Sequence, residues 1–294
     1  MLKKFQFHIE QTIYKNRLDK FLFDEITSLS RMYLKHLILE GNCAVNGKVE
    51  NAGYHLQSSD FVEIEIEMKA EIEMIPENIP LEIVFEDSEL IVLSKPSGML
   101  VHPTKGVRRG TLLNALLFYL NSNETGEIET GKLTRAGLVH RLDKQTSGLM
   151  VIAKNPRSHR ILCSHFQRRL VEKKYLAVVE GIVCEDSGTI NAPIGRDAEE
   201  RVWKISPDGK SAESRFQVVE RFADKTLLEL EPVTGRTNQL RLHCAHIGYP
   251  IIGDDKYGGR EFQRLCLHAS KLAFWHPNGN ERLEFESLFD MNFA

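Results

Sequence analysis

A single carboxylate among basic residues is the feature of this sequence best suited to chemistry. Residues 139–148 read VHRLDKQTSG. If this segment is extended, alternation places Arg141 and Asp143 on one face and buries Leu142 on the other. The neighbouring cations are expected to lower the pKa of Asp143 and keep it ionised, as a nucleophile or a base requires. The same carboxylate could instead bond its own backbone in a turn, which residues 146–148 would also suit.

A second basic cluster follows a glycine later in the chain, where residues 233–243 read VTGRTNQLRLH. Gly235 allows a sharp turn, and Thr237 is predicted to cap the helix that follows. The free N–H groups of that helix, with Arg236 and Arg241, would suit a phosphate or a paired carboxylate. The alternative is an ordinary solvent-facing helix that carries two arginines.

The charges are unevenly distributed although the chain as a whole is close to neutral. Its 38 Lys and Arg against 41 Asp and Glu give a net charge of −3, yet residues 132–176 carry eleven basic side chains against Asp143 and Glu172. Tyr175 lies near the end of this basic run, at the start of a predicted strand. A tyrosine is usually a core residue, but at the edge of a basic cleft it can stack on a nucleobase. The run itself could also be a solvated face.

The first 68 residues are predicted to form a small α/β domain. Ser30 is a predicted cap for the second of two short helices. The predicted elements are two helices between residues 17 and 41, strands at 43–45 and 61–66, and a tight turn at Asn46-Gly47. Residues 69–80 contain two prolines and no periodicity, which predicts a linker.

Residues 81–294 are predicted to form a mixed α+β domain on a largely antiparallel sheet, because strand candidates outnumber helices and do not alternate regularly with them. The strand candidates are Leu81–Phe85, Leu90–Leu93, Leu149–Ala153, Tyr175–Glu180, Phe216–Val219 and Leu227–Leu230. The helix candidates are Leu112–Asn121, Pro156–Leu170 and Asn238–Ile247. Asn155 is predicted to cap the middle helix, with Pro156 at its first position.

The sequence also predicts what the protein lacks. No apolar stretch approaches the ~20 residues that span a bilayer, and the N-terminus has no secretory signal, so we expect a cytoplasmic protein that does not contact a membrane. Neither the five scattered cysteines nor the histidines have the spacing of a metal site. We therefore expect no metal.

The first basic segment resembles a known signature. His140-Arg141-Leu142-Asp143 followed by Thr146-Ser147-Gly148 is similar to the motif of the RluA-type pseudouridine synthases, which isomerise uridine in RNA. Further matches follow in the family's order: Tyr175-Leu176-Ala177 with Glu180-Gly181, Thr234-Gly235-Arg236-Thr237 with Gln239 and Arg241, Gly253-Asp254 with Tyr257-Gly258, and Leu267-His268-Ala269. The resemblance covers roughly residue 81 to the C-terminus. It implies that uracil is detached from ribose, turned and rejoined through carbon five, with no cofactor or metal.

The N-terminal region separately resembles the alpha-L RNA-binding motif of a small-subunit ribosomal protein. The matching residues are Arg17-Leu18-Asp19, Ser30-Arg31, Gly41, Val45-Asn46-Gly47-Lys48 and Asp60. Synthases that carry such a module typically modify large-subunit ribosomal RNA, whereas shorter relatives include tRNA-acting enzymes. The resemblance therefore implies ribosomal RNA as the partner and substrate, and we expect the protein to be a monomer.

The resemblance also implies roles for individual residues. Asp143 would be the catalytic carboxylate, and Arg241 would pair with it and hold it charged. Tyr175 would stack on the target uracil and help to remove the proton from its carbon five. Arg141 and Arg236 would contact RNA, and Leu267 would line the uracil pocket. Whether Asp143 attacks the sugar or removes a ribose proton stays open.

Two positions depart from the family pattern. Asn238 stands where the family usually has His, and Gln145 stands where an acid is common. Neither is a catalytic position in the family. Three other functions are compatible with these residues: a synthase acting on tRNA, an RNA-binding ribosome-assembly factor without catalysis, and a hydrolase or glycosylase that uses the same acid. The joint presence of Asp143, Tyr175 and Arg241 favours a synthase.

Overall fold

The computed structural model describes residues 2–10, 16–26, 29, 31–67, 75–104, 106–122, 136–197 and 202–288. Its elements are β1 Leu2–His8, α1 Leu18–Glu25, α2 Arg31–Leu39, β2 Cys43–Val45, β3 Lys48–Val49, β4 Phe61–Glu67, β5 Glu82–Glu86, β6 Leu90–Lys95, α3 Leu112–Asn121, β7 Gly137–Leu138, β8 Ser147–Ala153, α4 Pro156–Gln167, β9 Glu172–Glu180, β10 Ser187–Asn191, β11 Ile194–Arg196, β12 Trp203–Ile205, β13 Glu213–Arg221, β14 Lys225–Pro232, α5 Gln239–His246, β15 Leu267–Trp275 and β16 Arg282–Glu286.

The chain divides into two compact units. The first contains Met1–Ile79 and Pro103–Arg135, and the second contains Pro80–His102 and Ala136–Ala294. No helix in the described ranges is long and apolar enough to cross a membrane.

The first unit contains a four-stranded sheet in the order β1-β4-β2-β3. Strand β4 alternates strictly, so Val62, Ile64 and Ile66 are buried while the glutamates between them face outward. One of these, Glu63, pairs with Lys4 of β1 at 2.9 Å. The glutamates of β4 therefore form the solvent-facing side of this strand.

The predicted hairpin turn is confirmed. Asn46 (φ 51°) and Gly47 (φ 76°) both have the left-handed backbone that a two-residue turn between β2 and β3 requires. The two predicted helices are also present as α1 and α2, and they pack with the sheet around a core of residues between Ile9 and Ile66. The predicted cap at Ser30 lies outside the described residues.

Residues 75–79, at the end of the predicted linker, contact the start of α3. The side chain of Glu77 accepts a hydrogen bond from the Gly110 N–H at 2.7 Å, and the side-chain amide of Asn114 donates to the Ile75 carbonyl at 2.7 Å. Helix α3 has the predicted bounds, and Thr111 caps it. The domain boundaries at residues 68 and 81 stay a prediction, and residues 68–74 lie outside the described part.

The second unit is built on one large mixed sheet, which confirms the α+β prediction. Its main path is β10-β13-β14-β9-β15-β8-β6-β5, with β16 added to β15 and β7 to β8. The pairings are antiparallel except that of β15 with β8. Strand β8 is buried along its whole length, and it directly follows the segment that carries Asp143. The six predicted strands are present, whereas β7, β10, β11, β12, β15 and β16 were not predicted.

Close packing of β8 against β15 depends on Gly148. Its φ is +113°, and a Cβ atom there would lie 2.3 Å from the Ala269 carbonyl oxygen. Only glycine fits both the conformation and the space. This approach fixes the start of β8 directly beside β15.

Helix α4 has the predicted start but not the predicted end. The side chain of Asn155 caps α4 by accepting from the Ser158 N–H at 2.9 Å, as predicted, with Pro156 in the first turn. The helix ends at Gln167 rather than at the predicted Leu170, because Arg169 adopts a left-handed conformation with φ 58°.

Candidate active site

The loop that carries Asp143 joins β7 to β8 and has no regular secondary structure. Leu142 is buried, whereas Arg141 is exposed and Asp143 is half-buried. Arg141 and Asp143 both line one cavity. The predicted burial of Leu142 is confirmed, but Leu142 lines the same cavity as Arg141 and Asp143, so the predicted separation onto two faces is not seen.

A second segment, residues 95–99, holds this loop in place. The Lys144 carbonyl accepts hydrogen bonds from the Gly98 N–H at 2.8 Å and from Lys95 Nζ at 3.3 Å. The Ser97 hydroxyl donates to the Gln145 carbonyl at 2.6 Å. The two residues that follow Asp143 are therefore fixed through their backbone oxygens.

Lys95 is the centre of this contact, and its side chain is fully buried at the end of β6. Its ammonium group also donates to the carbonyls of Pro96 at 2.7 Å and Met99 at 2.9 Å. Burial lowers the pKa of Lys95 to about 8, although the nearby Asp143 charge opposes this shift. Lys95 is a site residue that no sequence pattern considered above identified. The signal was available, since a lysine that ends an apolar strand before Pro-Ser-Gly is unusual.

The environment of Asp143 differs from the one expected. Burial raises the pKa of its carboxyl group, and this effect outweighs the charges of Arg141, Arg241 and Lys95 together with a hydrogen bond from the Asn238 backbone N–H. The expected lowering of the pKa was wrong, because burial removes water from the carboxylate and this effect is larger than that of the neighbouring cations. A carboxyl group held in this way binds and releases a proton more readily near neutral pH than an exposed one does.

The expected pair between Arg241 and Asp143 is replaced by another. Arg241 forms a two-point salt bridge with Asp254, with Nε–Oδ2 at 2.7 Å and Nη2–Oδ1 at 2.5 Å, and both side chains are buried. Asp254 also accepts the backbone N–H groups of Lys256 and Tyr257. Arg241 acts on Asp143 through its charge while Asp254 holds it in place.

The basic loop before α5 is ordered by its own side chains. Gln239 Oε1 accepts from the Thr234 hydroxyl at 2.7 Å and from the Arg236 N–H at 3.0 Å. The Arg236 guanidinium is exposed, and its Nε donates to the Ser211 carbonyl at 3.1 Å. The predicted cap at Thr237 was wrong, since the residue before the helix is Asn238 and its side chain makes no cap hydrogen bond.

Asn238 contacts both Asp143 and Tyr257. It adopts a left-handed conformation with φ 54°, which Asn tolerates better than most residues. Its backbone N–H points to Asp143, while its side-chain amide donates to the Tyr257 hydroxyl at 2.8 Å. The Tyr257 ring lies under the Arg241 guanidinium at 5.0 Å, and its hydroxyl donates to the Trp203 carbonyl. The departure from the family pattern thus lies beside the candidate catalytic group.

Tyr175 and Leu267 come from adjacent strands, β9 and β15, and both line the cavity. Burial, with the nearby Asp143 charge, raises the pKa of the Tyr175 phenol above its usual range, so the phenol stays protonated. Leu267 is 3% exposed. Together they provide an aromatic ring and an apolar surface beside the carboxylate.

His140 has a structural role. Its Nε2 accepts the Val151 backbone N–H at 3.0 Å, and its ring stacks on Phe166 with centroids 4.5 Å apart. Burial lowers the pKa of His140 to about 3, so the ring is neutral and its Nε2 is already used. In the described part of the chain, no group of three or more His, Cys, Asp and Glu side chains is placed to hold a metal ion.

The cavity measures about 620 Å³, and all six residues predicted from the sequence line it. Those residues are Asp143, Tyr175, Arg241, Arg141, Arg236 and Leu267. Asp143 is the one carboxylate among the described lining residues, whereas Arg169 and Lys173 add two further cations that were not predicted as site residues. The arrangement suits a planar, uncharged ring attached to an anionic backbone.

Known proteins are similar to this chain in sequence and in fold. Residues 89–246 match the family model described as RNA pseudouridylate synthase. The "Uncharacterized RNA pseudouridine synthase YlyB" of Bacillus subtilis is 40% identical over 95% of this chain and 92% of its own length. Ribosomal large subunit pseudouridine synthase D of Pseudomonas aeruginosa is 39% identical over 94% of this chain and 89% of its own. The structure of human RNA Pseudouridylate Synthase Domain Containing 1 matches with a TM-score of 0.60 at 27% identity, over 72% of this chain and 85% of that one.

Proposed function

The chain belongs to the RNA pseudouridylate synthase family, and we propose that it converts specific uridines of large-subunit ribosomal RNA to pseudouridine. Members of this family are isomerases that act on RNA. The relative from Pseudomonas aeruginosa, which is named a ribosomal large subunit pseudouridine synthase, supports ribosomal RNA as the substrate.

The observation that carries the proposal is the composition of the cavity. Asp143, the sole carboxylate among its described lining residues, shares it with Tyr175, Leu267 and several cations. A uridine inside a duplex cannot reach such a carboxylate, so the nucleotide must first leave its stack. A volume of about 620 Å³ lies within the range of pockets that bind small molecules.

The reaction requires Asp143 in its ionised form. The bond between N1 and C1′ breaks and the bond between C5 and C1′ forms, while the proton lost from C5 is balanced by the one gained at N1. Attack on C1′ and removal of a ribose proton both need a carboxylate. In the proposal, the charges of Arg241 and Lys95 and the Asn238 N–H stabilise that form against the effect of burial.

The remaining site residues hold the substrate. We assign Tyr175 to stacking on the uracil, since a phenol that stays protonated is a poor base for the C5 proton. Leu267 would form an apolar wall of the uracil pocket. Arg141 and Arg236, both exposed, would contact the RNA backbone.

The proposal extends to the N-terminal region. We propose that residues 1–68 form a separate RNA-binding domain. The separation is supported by a hydrophobic core whose described buried residues all lie between Ile9 and Ile66. Arg17 and Arg31 pair with the buried Asp19, yet about half of each arginine side chain is exposed and available to phosphates. We also propose that the protein acts as a monomer, since one chain supplies every residue assigned to the site. The proposed ribosomal RNA substrate favours action in the cytoplasm.

The test is to map pseudouridines made by the purified full-length chain. Transcripts of bacterial large-subunit ribosomal RNA and of tRNA are incubated with the wild type, with Asp143→Asn and with Asp224→Asn, and the products are mapped by carbodiimide labelling and primer extension. Asp224 is a matched control because its carboxylate is exposed and pairs with Arg260 outside the site. We expect defined stops on the ribosomal RNA with the wild type and Asp224→Asn, and none with Asp143→Asn.

Other outcomes would refute parts of the proposal. Primer-extension stops found only on tRNA would refute ribosomal RNA as the substrate but would still support pseudouridine synthase activity. Undiminished stops with Asp143→Asn would refute the assigned catalyst. Binding of ribosomal RNA by the wild type without any product would favour an assembly factor that works by binding alone.

A further inference from the structure

Lys173 is a half-buried cation of the cavity, and no acidic side chain of the described ranges lies within ion-pair distance of it. Its ammonium group has no hydrogen bond or ion pair within the described part of the chain, and its nearest aromatic contact is the Phe166 ring, 5.9 Å from Nζ. Burial lowers the pKa of Lys173, with no acidic group nearby to oppose the shift. An ammonium group is costly to remove from water without a partner.

The neighbouring lysine shows how such a charge is ordinarily handled in this strand. Side chains alternate along β9, so Lys173 and Tyr175 share the face that lines the cavity, while Lys174 points to the other face. There Lys174 Nζ pairs with Glu229 of β14 at 2.7 Å. The protein therefore compensates one lysine and leaves the adjacent one open to the cavity.

Asp143 does not supply the missing charge. The cations that act on its carboxyl group are Arg141, Arg241 and Lys95, and Lys173 is not among them. Lys173 instead lies near the connection between α4 and β9, where Arg169 also lines the cavity without an ion-pair partner in the described residues. This side of the cavity therefore has positive charge at a distance from the reacting carboxylate.

We propose that Lys173 binds a backbone phosphate of the RNA beside the flipped uridine, and that Arg169 assists it at the same phosphate or the next. The inference rests on the proposed function, since it takes the uracil to lie between Tyr175 and Leu267. A phosphodiester supplies the negative charge that no described side chain gives to Lys173. Lysine binds phosphate as a point charge, so the contact does not depend on a fixed hydrogen-bond angle. Lys173 would thus set the position of the substrate backbone relative to Asp143.

The experiment measures the salt dependence of the reaction. Single-turnover kcat/KM is determined between 50 and 400 mM KCl on a large-subunit ribosomal RNA transcript, with Lys173→Met, Lys173→Arg and Lys174→Met in the full-length chain. Each lost phosphate contact reduces the slope of log kcat/KM against log salt by about 0.7 on single-stranded nucleic acid. We expect Lys173→Met to lose this amount and about tenfold in kcat/KM at low salt, the scale of one charge-assisted hydrogen bond.

The variants separate a phosphate contact from a packing role. Lys173→Arg keeps the charge and is expected to keep the slope, and Lys174→Met is expected to match the wild type. A wild-type slope for Lys173→Met would overturn the inference even if activity fell, since lost packing on Phe166 changes stability without changing counterion release. If the wild type forms no pseudouridine, the proposed function fails. In that case the slope of log Kd on the same transcript, with the same variants, still decides whether Lys173 contacts phosphate.

Discussion

Asp254→Asn is expected to weaken the second unit although residue 254 does not line the cavity. Asp254 is 1% exposed and receives two N–H donors from Arg241, which is itself buried, as well as two backbone N–H groups. Asparagine keeps the shape but offers one oxygen and no charge. The Arg241 guanidinium would then be buried without a counter-charge, and at least one of its donors would lose its acceptor.

The expected loss follows from these contacts. Breaking a buried ion pair by removing one partner costs about 3–5 kcal/mol, and the oxygen that Asn retains places this case near the lower end. With a denaturant slope on the order of 4 kcal/mol per molar guanidinium chloride, about 3 kcal/mol lowers the unfolding midpoint by roughly 0.8 M. Activity should fall as well, because Arg241 would no longer be held where its charge stabilises the Asp143 carboxylate.

The chain offers a built-in probe for this measurement. Its two tryptophans, Trp203 and Trp275, both lie in the second unit, so their fluorescence follows the unfolding of that unit without a tryptophan signal from the first. Asp224→Asn is the control, since the Asp224–Arg260 pair is exposed and its loss should leave the midpoint unchanged.

The result that would refute this reasoning is a wild-type unfolding midpoint for Asp254→Asn. A second variant tests the cause. Arg241→Met combined with Asp254→Asn removes both charges and keeps a side-chain oxygen for the backbone N–H groups of Lys256 and Tyr257, so this double variant should be less destabilised than Asp254→Asn alone. If the double variant is as unstable as the single one, the uncompensated charge of Arg241 is not the reason for the loss.

Two further predictions concern the loops around Asp143. Gly235→Ala should leave the unfolding midpoint unchanged, because Gly235 has an ordinary φ and a Cβ would meet nothing within 4 Å. The kcat/KM of this variant should still fall about tenfold if RNA occupies that space. A lowered midpoint would contradict this prediction. Lys95→Met removes a positive charge near Asp143, and since that charge favours the carboxylate, the Asp143 pKa should rise further and the acid limb of the kcat/KM profile should move to higher pH. An acid limb at the wild-type pH would contradict the assigned influence of Lys95.

The part of the site that the sequence predicted is the part encoded locally. Asp143 and its flanking residues form one short segment, and alternation predicted the burial of Leu142, although Leu142 lines the same cavity as Arg141. The true partner of Arg241 lies thirteen residues further along, beyond the end of α5, and no local pattern identifies it. The direction of the Asp143 pKa shift failed for a related reason, because burial is a property of the folded chain.

The same limit explains the elements that were missed. Strand β15 is central to the sheet, so residues on both of its faces are buried and the two-residue alternation that identifies a strand is lost. The end of α4 was placed three residues late because residues 168–170 continue a helix-compatible composition. The left-handed backbone at Arg169 ends the helix, and an arginine does not predict that conformation as a glycine or an asparagine would.

The cations around the cavity divide into two kinds by their partners. Arg241 is satisfied by Asp254, and Lys95 by three backbone carbonyls, so both are occupied in holding the chain around Asp143. Arg141, Arg169 and Lys173 line the cavity with no ion pair to any described residue. A net charge of −3 therefore says little about affinity for RNA, since the charges that count are those the fold leaves unpaired. Substitution of the first kind should affect stability and kcat together, whereas substitution of the second should change the salt dependence of binding.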